Sequence, residues 1–212
     1  MKIKDIYCNK NKSWVSLMIA LMCIVFTAIT LLIPNTYHAL AYAFPVQYPW
    51  QVCSGLFVHG TPEMPIGGTI GHLVFNLLLV LPFGVMIEKI IGSKKFAVLS
   101  SYIWIVNIVT FYAIAFVVTP NGETAYGAGI SGVAFFYGII GFYVLFRLFI
   151  QTRKLIFKQV SFYLLMNIVI AMIIMVNPIV AGVASMIMHI TAIVAGVVYL
   201  WIDHKRIDNY LA

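Results

Sequence analysis

The chain is 212 residues long, 63% hydrophobic and only 9% charged, with a formal net charge of +7. Soluble domains are nearer half apolar and about a quarter charged, so this composition excludes one and indicates an all-α integral membrane protein. Cys8, Cys23 and Cys53 have neither a CxxC pair nor metal-ligand spacing, which excludes a disulfide framework and a structural zinc site.

Six apolar runs are long enough to span a bilayer or nearly so. They extend from about Trp14 to Ile33, Thr69 to Ile87, Phe96 to Val118, Ala128 to Phe146, Val160 to Val176 and Val183 to Ile202. Lys2, Lys4, Lys10 and Lys12 precede the first run, as in a signal peptide. That run is long enough to span and ends in Pro34-Asn35 without a small-x-small cleavage site, so it reads as a retained helix. The expected organisation is a cytoplasmic segment over 1–13, a six-transmembrane-helix domain over 14–203 and a cytoplasmic tail over 204–212.

The connections sort by charge. All 13 basic residues lie before run one, between runs two and three, between runs four and five, or after run six; the other three connections carry none. The positive-inside rule then places both termini in the cytoplasm. The basic charge serves orientation and contact with anionic headgroups, which leaves no nucleic-acid footprint. The economy of the build suggests a prokaryotic plasma membrane.

Residues 35–68 form a long outer connection rich in aromatics, with Tyr42, Phe44, Tyr48, Trp50 and Phe57 among Pro45, Pro49, Pro62 and Pro65. Few charges argue against a solvated linker, so this first outer loop is expected to lie in the interface or fold back onto the bundle. The remaining outer connections are short, with turn signals at Pro120-Asn121-Gly122 and Asn177-Pro178.

Polar residues inside the apolar runs are few. Runs two, four and six all start on the outer side. His72 and Asn76 fall in the first two turns of run two, Ser131 in the first turn of run four, and His189 about two turns into run six. At 1.5 Å per residue all four sit within roughly 10 Å of the outer boundary. Each has a plainer explanation: Ser131 within Gly129-Ile130-Ser131-Gly132 suits close helix contact, His72 and Asn76 share a helix face and could bond a neighbouring helix, and His189 could bond a carbonyl or belong to a proton relay. Together they supply what acyl transfer needs. Ser131 requires a base, which His189 can be, and a tetrahedral intermediate requires donors such as the Ser131 amide, Asn76 and His72. No carboxylate lies at this depth, so a Ser–His dyad without a third member is expected, and the same absence counts against aspartyl catalysis. No HExxH is present, and no spacing supports a metal on His59, His72 and His189. Ala192-x-x-x-Gly196 in run six, with Gly132, Gly138 and Gly141 in run four, would let these two helices approach closely.

These residues resemble the rhomboid intramembrane serine proteases over roughly residues 48–203. Gly129 to Gly132 matches the family's GxSG, and His72 to Asn76 its HxxxN. Gly84 to Glu88 with Gly92-Ser93 is similar to GxxxE-xxx-G(S/T), and His189 with Gly196 to the AHxxGxxxG of the sixth helix. The resemblance implies a six-helix rhomboid-like bundle with a membrane-associated first loop. Ser131 would be the nucleophile, His189 the base, His72 and Asn76 with the Ser131 amide the oxyanion hole, and Phe135 the ring against the catalytic histidine. It also implies an endopeptidase that cuts transmembrane segments of membrane-protein substrates near the outer face of the lipid bilayer, without a cofactor. The chain departs from the pattern at several points. Trp50-Gln51 replaces Trp-Arg, Met188 and Ala192 stand where Ala and Gly are usual, and Gly67 occupies the place of a loop histidine. His59 comes earlier, followed by an insertion, Thr61 to Gly68. Two other classes fit parts of the sequence. One is a non-catalytic rhomboid-like binder of membrane helices, whose relatives typically lack the serine or the histidine. The other is a small transporter with His72 and His189 as a proton path, which the absence of inverted-repeat symmetry opposes.

Overall fold

The computed structural model describes residues 3–119, 123–152 and 178–212. In chain order these form α1 (Ile3–Tyr7), α2 (Trp14–Leu32), α3 (Thr36–Leu40), β1 (Tyr42–Phe44), α4 (Gln51–Ser54), α5 (Ile66–Ile91), α6 (Ser93–Val118), β2 (Ala125–Gly127), α7 (Ser131–Thr152) and α8 (Pro178–Leu211). The expected run from Val160 to Val176 and the turn at Pro120-Asn121-Gly122 lie outside the described residues. Among the described residues, α2, α5, α6, α7 and most of α8 are long and apolar enough to cross a membrane. The fold is the helical membrane bundle expected.

α7 is the central helix. In its most apolar stretch 61% of residues are buried, against 17–39% in the other spans. Small residues bring its neighbours close. A β-carbon at Gly141 would strike the Phe83 ring of α5, and one at Gly196 of α8 would come within 3.1 Å of Ile139. The outward faces remain apolar: Leu21 and Ile24 on α2, Val98 and Ile105 on α6, and Val194 and Trp201 on α8 are exposed. Hydrocarbon is the solvent such faces require.

At the end of the bundle that carries the described basic residues, Glu88 joins three helices. Its carboxylate accepts the Val15 amide (3.0 Å), the Ser16 amide (2.8 Å) and hydroxyl (2.7 Å), and the Ser93 hydroxyl (2.6 Å). Ser13, which precedes α2, provides no side-chain cap. Glu88 therefore satisfies amides of the first turn of α2 from a distance, with the charge sign that a helix N-terminus favours. Gly84 leaves room for Ser16, since a β-carbon there would lie 3.2 Å from its hydroxyl. Gly92, at φ +83°, breaks the chain sharply between α5 and α6. Both helices run nearer this joint than hydropathy indicated, because Glu88, Lys89 and Lys94 are helical although polar. The terminal segments also pack here. Tyr7 donates to the Pro82 carbonyl (2.8 Å) and Lys89 to the Asn9 and Asn11 carbonyls (2.7 and 2.6 Å). Asp203, at φ −129°, kinks α8, and the residues beyond it bury Ile207 and Leu211.

The long connection between α2 and α5 folds back as expected, and it pairs with the chain ahead of α7. β1 and β2 form an antiparallel ribbon with Tyr42 opposite Gly127 and Phe44 opposite Ala125. Gln51 holds this loop in place of the usual arginine. Its buried Oε1 accepts the Gln47 and Tyr48 amides (3.0 and 2.9 Å), and its Nε2 donates to the His38 carbonyl (2.7 Å). The ribbon also moves the start of the fourth long helix. The apolar run begins near Ala128, but the chain is extended to Gly127 and turns at Gly129, so the helix begins at Ser131.

Candidate active site

Ser131 stands at the head of α7 because the backbone before it is pinned. The ribbon ends at Gly127, and Gly129 adopts φ +116° while donating its amide to the Gly55 carbonyl (3.0 Å). This conformation is open to glycine and strained for other residues. A β-carbon at Gly129 would lie 3.4 Å from Cε1 of His72, so this turn and the histidine of α5 are in close contact.

His189 of α8 is brought to the serine. Its Nε2 lies 2.9 Å from Ser131 Oγ, and the imidazole is 1% exposed while the serine is half-buried. The Phe135 ring, one turn below Ser131, packs against the imidazole with centroids 4.6 Å apart. Ala192, one turn further along α8, is buried and Met188 half-buried. The larger residues at these two positions are compatible with the contact.

His72 is half-buried, and Asn76 lies one turn below it at 1% exposure. Neither amide atom of Asn76 has a hydrogen-bond partner among the described residues. A buried, unpaired amide is costly unless something else uses it. The structure thus bonds Ser131 to His189 and sets His72 against the turn ahead of the serine. Among the described residues it leaves the Asn76 amide without a partner.

Three further residues belong to this neighbourhood. His59 stands far from its usual place in the sequence, yet its ring lies 5.3 Å from that of His72, edge to face. The insertion that follows it forms a bulge, exposed from Thr61 to Gly68, so the chain leaves and returns without displacing the histidine. Gly60, at φ +78°, packs onto Thr69 in the first turn of α5. Thr27 of α2, which the sequence reading passed over, lies 3.0 Å from His59 Nδ1. Burial and then the neighbouring His72 imidazole push the His59 pKa from 6.5 down to about 3. Asn107 of α6 was also missed. It donates to the Ile103 carbonyl (2.8 Å), and a β-carbon at Gly132 would collide with its amide. The available signal was a lone amide in the middle of an apolar run. His59 and His72 stand together, but no group of three His, Cys, Asp or Glu residues suited to a metal occurs among the described residues.

A nucleophile bonded to an imidazole, with a second imidazole against the turn that precedes it, is an arrangement that can carry out acyl transfer. The Rhomboid domain family model matches residues 46–206, which takes in Gln51, His59, the HxxxN segment, the glycine turn, Ser131 and His189. Comparison with individual curated proteins gives no match. Rhomboids are generally serine intramembrane proteases, with non-catalytic members among them. On the domain match over most of its length and its helical membrane fold, the chain belongs to the rhomboid family.

Proposed function

We propose that the protein is an intramembrane serine endopeptidase using Ser131 and His189. The observation that carries this reading is the 2.9 Å approach of His189 Nε2 to Ser131 Oγ at the head of a membrane-spanning helix. His189 Nε2 takes the serine proton as Ser131 Oγ attacks a substrate carbonyl, forming a tetrahedral oxyanion. The Ser131 amide is one of the first in α7 and has no carbonyl one turn earlier in that helix. It acts with Asn76 and His72 as the oxyanion donors, which gives a partner to the Asn76 amide, unpaired among the described residues. Collapse breaks the C–N bond, and the proton passes from His189 to the leaving amine. Water, deprotonated by the same imidazole, then hydrolyses the acyl-enzyme and restores both side chains. The substrates are transmembrane segments of other membrane proteins, cut near the face opposite the basic end.

Fluorophosphonate labelling of detergent-purified protein tests the dyad, because such probes react with activated serines. Labelling is expected in the wild type and is lost in both Ser131→Ala and His189→Ala. Labelling that persists in Ser131→Ala would overturn the assignment. A folded wild type that neither labels nor cleaves a co-expressed membrane substrate would instead place the protein among the non-catalytic members.

A further inference from the structure

A groove of about 670 Å³ opens between α6 and α8 at the basic end of the bundle, away from Ser131. Its walls are apolar, with Val98 and Tyr102 on α6 facing Val198 and Ile202 on α8. Val98 and Ile202 are among the most exposed apolar side chains of the fold, at 72% and 70%. The groove therefore opens sideways, toward the hydrocarbon that must cover these faces. Its other end is charged. Lys94 and Lys95, in the first turn of α6, meet Arg206 of α8 there. Asp203 is the one carboxylate among the lining residues. It sits 3.2 Å from Arg206 and its non-helical backbone kinks α8 at this point. Three cations against one carboxylate leave the mouth net positive.

We propose that this groove holds one anionic phospholipid, its acyl chain along the α6–α8 walls and its phosphate among Lys94, Lys95 and Arg206. The combination of surfaces selects this occupant. A free phosphate has no use for the apolar walls. A zwitterionic lipid presents an ammonium to three cations. A lipid with net negative charge matches both ends, and it is already present in the phase that the groove faces. The kink at Asp203 sets the spacing, because it turns the chain just where the headgroup must enter.

The test is native mass spectrometry of the full detergent-purified chain. It is titrated with phosphatidylglycerol and with phosphatidylcholine carrying the same acyl chains. A single phosphatidylglycerol adduct is expected to survive, with phosphatidylcholine much weaker. Replacing all three cations (K94Q, K95Q, R206Q) is expected to weaken that adduct by about tenfold or more, from the favourable effect of each basic residue on anionic lipid. Removing three cations elsewhere at the same end (K10Q, K12Q, K205Q) is expected to leave it unchanged, and Val98→Trp, which fills the groove, to abolish it. Equal loss in the two triple variants would mean diffuse attraction and overturn the site. So would equal binding of the two lipids, an adduct that survives Val98→Trp, or displacement of phosphatidylglycerol by inorganic phosphate. None of these readouts involves Ser131, so the lipid site and the proposed proteolysis stand or fall separately.

Discussion

At the scale of single residues, Gln51 shows how a departure from a family pattern can be met by different chemistry. The buried carboxamide accepts two backbone amides and donates to a carbonyl. Arginine has five donors and no acceptor, so it cannot replace this set. Gln51→Arg is therefore expected to destabilise the protein even though it restores the family's Trp-Arg pair. Gln51→Ala should cost about 2–3 kcal/mol, from three hydrogen bonds worth roughly 1 kcal/mol each. Thermal unfolding in detergent checks both, and an unchanged Tm in Gln51→Arg would refute the argument. His59 makes a second prediction. Its folded pKa, about 3, lies below the ordinary 6.5, so folding favours the neutral ring. The stability it contributes is complete above pH 6.5 and is lost progressively as pH falls toward 3. The Tm should decline across that window, and His59→Asn, which cannot titrate, should show a shallower decline. Parallel curves would show that other groups carry the acid sensitivity.

Two contacts set the geometry between elements. The first is the approach of α6 to α7 just behind the serine, where Gly132 leaves space for the Asn107 amide. Gly132→Ala is expected to push the helices apart, at about 1–3 kcal/mol for overpacking. It should also reduce fluorophosphonate labelling, because Ser131 is the preceding residue. Adding Asn107→Ala removes the obstructing amide and should recover both stability and labelling. A double variant no better than the single one would locate the strain elsewhere. The second is Glu88, which accepts donors from α2 and α6 while belonging to α5. Glu88→Gln keeps the shape but turns one acceptor into a donor facing donors. The expected cost is about 2–3 kcal/mol, the scale of charged hydrogen bonds, read as a lower Tm. Fluorophosphonate labelling at low temperature should persist, since this joint lies at the end of the bundle away from Ser131. Loss of labelling in a folded Glu88→Gln protein would show that the joint also positions the dyad.

At the scale of the molecule, the described basic residues and the proposed site occupy opposite ends of one bundle. The charge distribution predicts that the basic end is cytoplasmic. Cys8 is exposed near that end, and Glu63 is exposed in the bulge near the opposite end. In a Cys53→Ser background, a membrane-impermeant maleimide should label Glu63→Cys in intact cells. It should label Cys8 only after permeabilisation. The reverse pattern would invert the topology and place the proposed cleavage on the cytoplasmic face.

The membrane class, the spans among the described residues and the identity of the residues worth testing were all legible in the chain. Hydropathy and charge are sums over local sequence, and burial in lipid acts on each run almost independently of its neighbours. The GxSG and HxxxN spacings were legible for the same reason, since each lies within a few residues of one turn or one helix. Only the tertiary structure decided what came together across the chain. Ser131 and His189 are 58 residues apart and meet through the α7–α8 packing. His59 reaches His72 because the inserted residues bulge outward, which linear spacing cannot show. Gln51 takes the place of an arginine because two amides happen to face it, and Asn107 matters because a glycine on another helix makes room. The ribbon that starts α7 at Ser131 joins segments more than 80 residues apart. Such contacts depend on which helices pack and at what distance, and in a bilayer that is decided by small residues and buried polar groups at particular positions, not by apolarity.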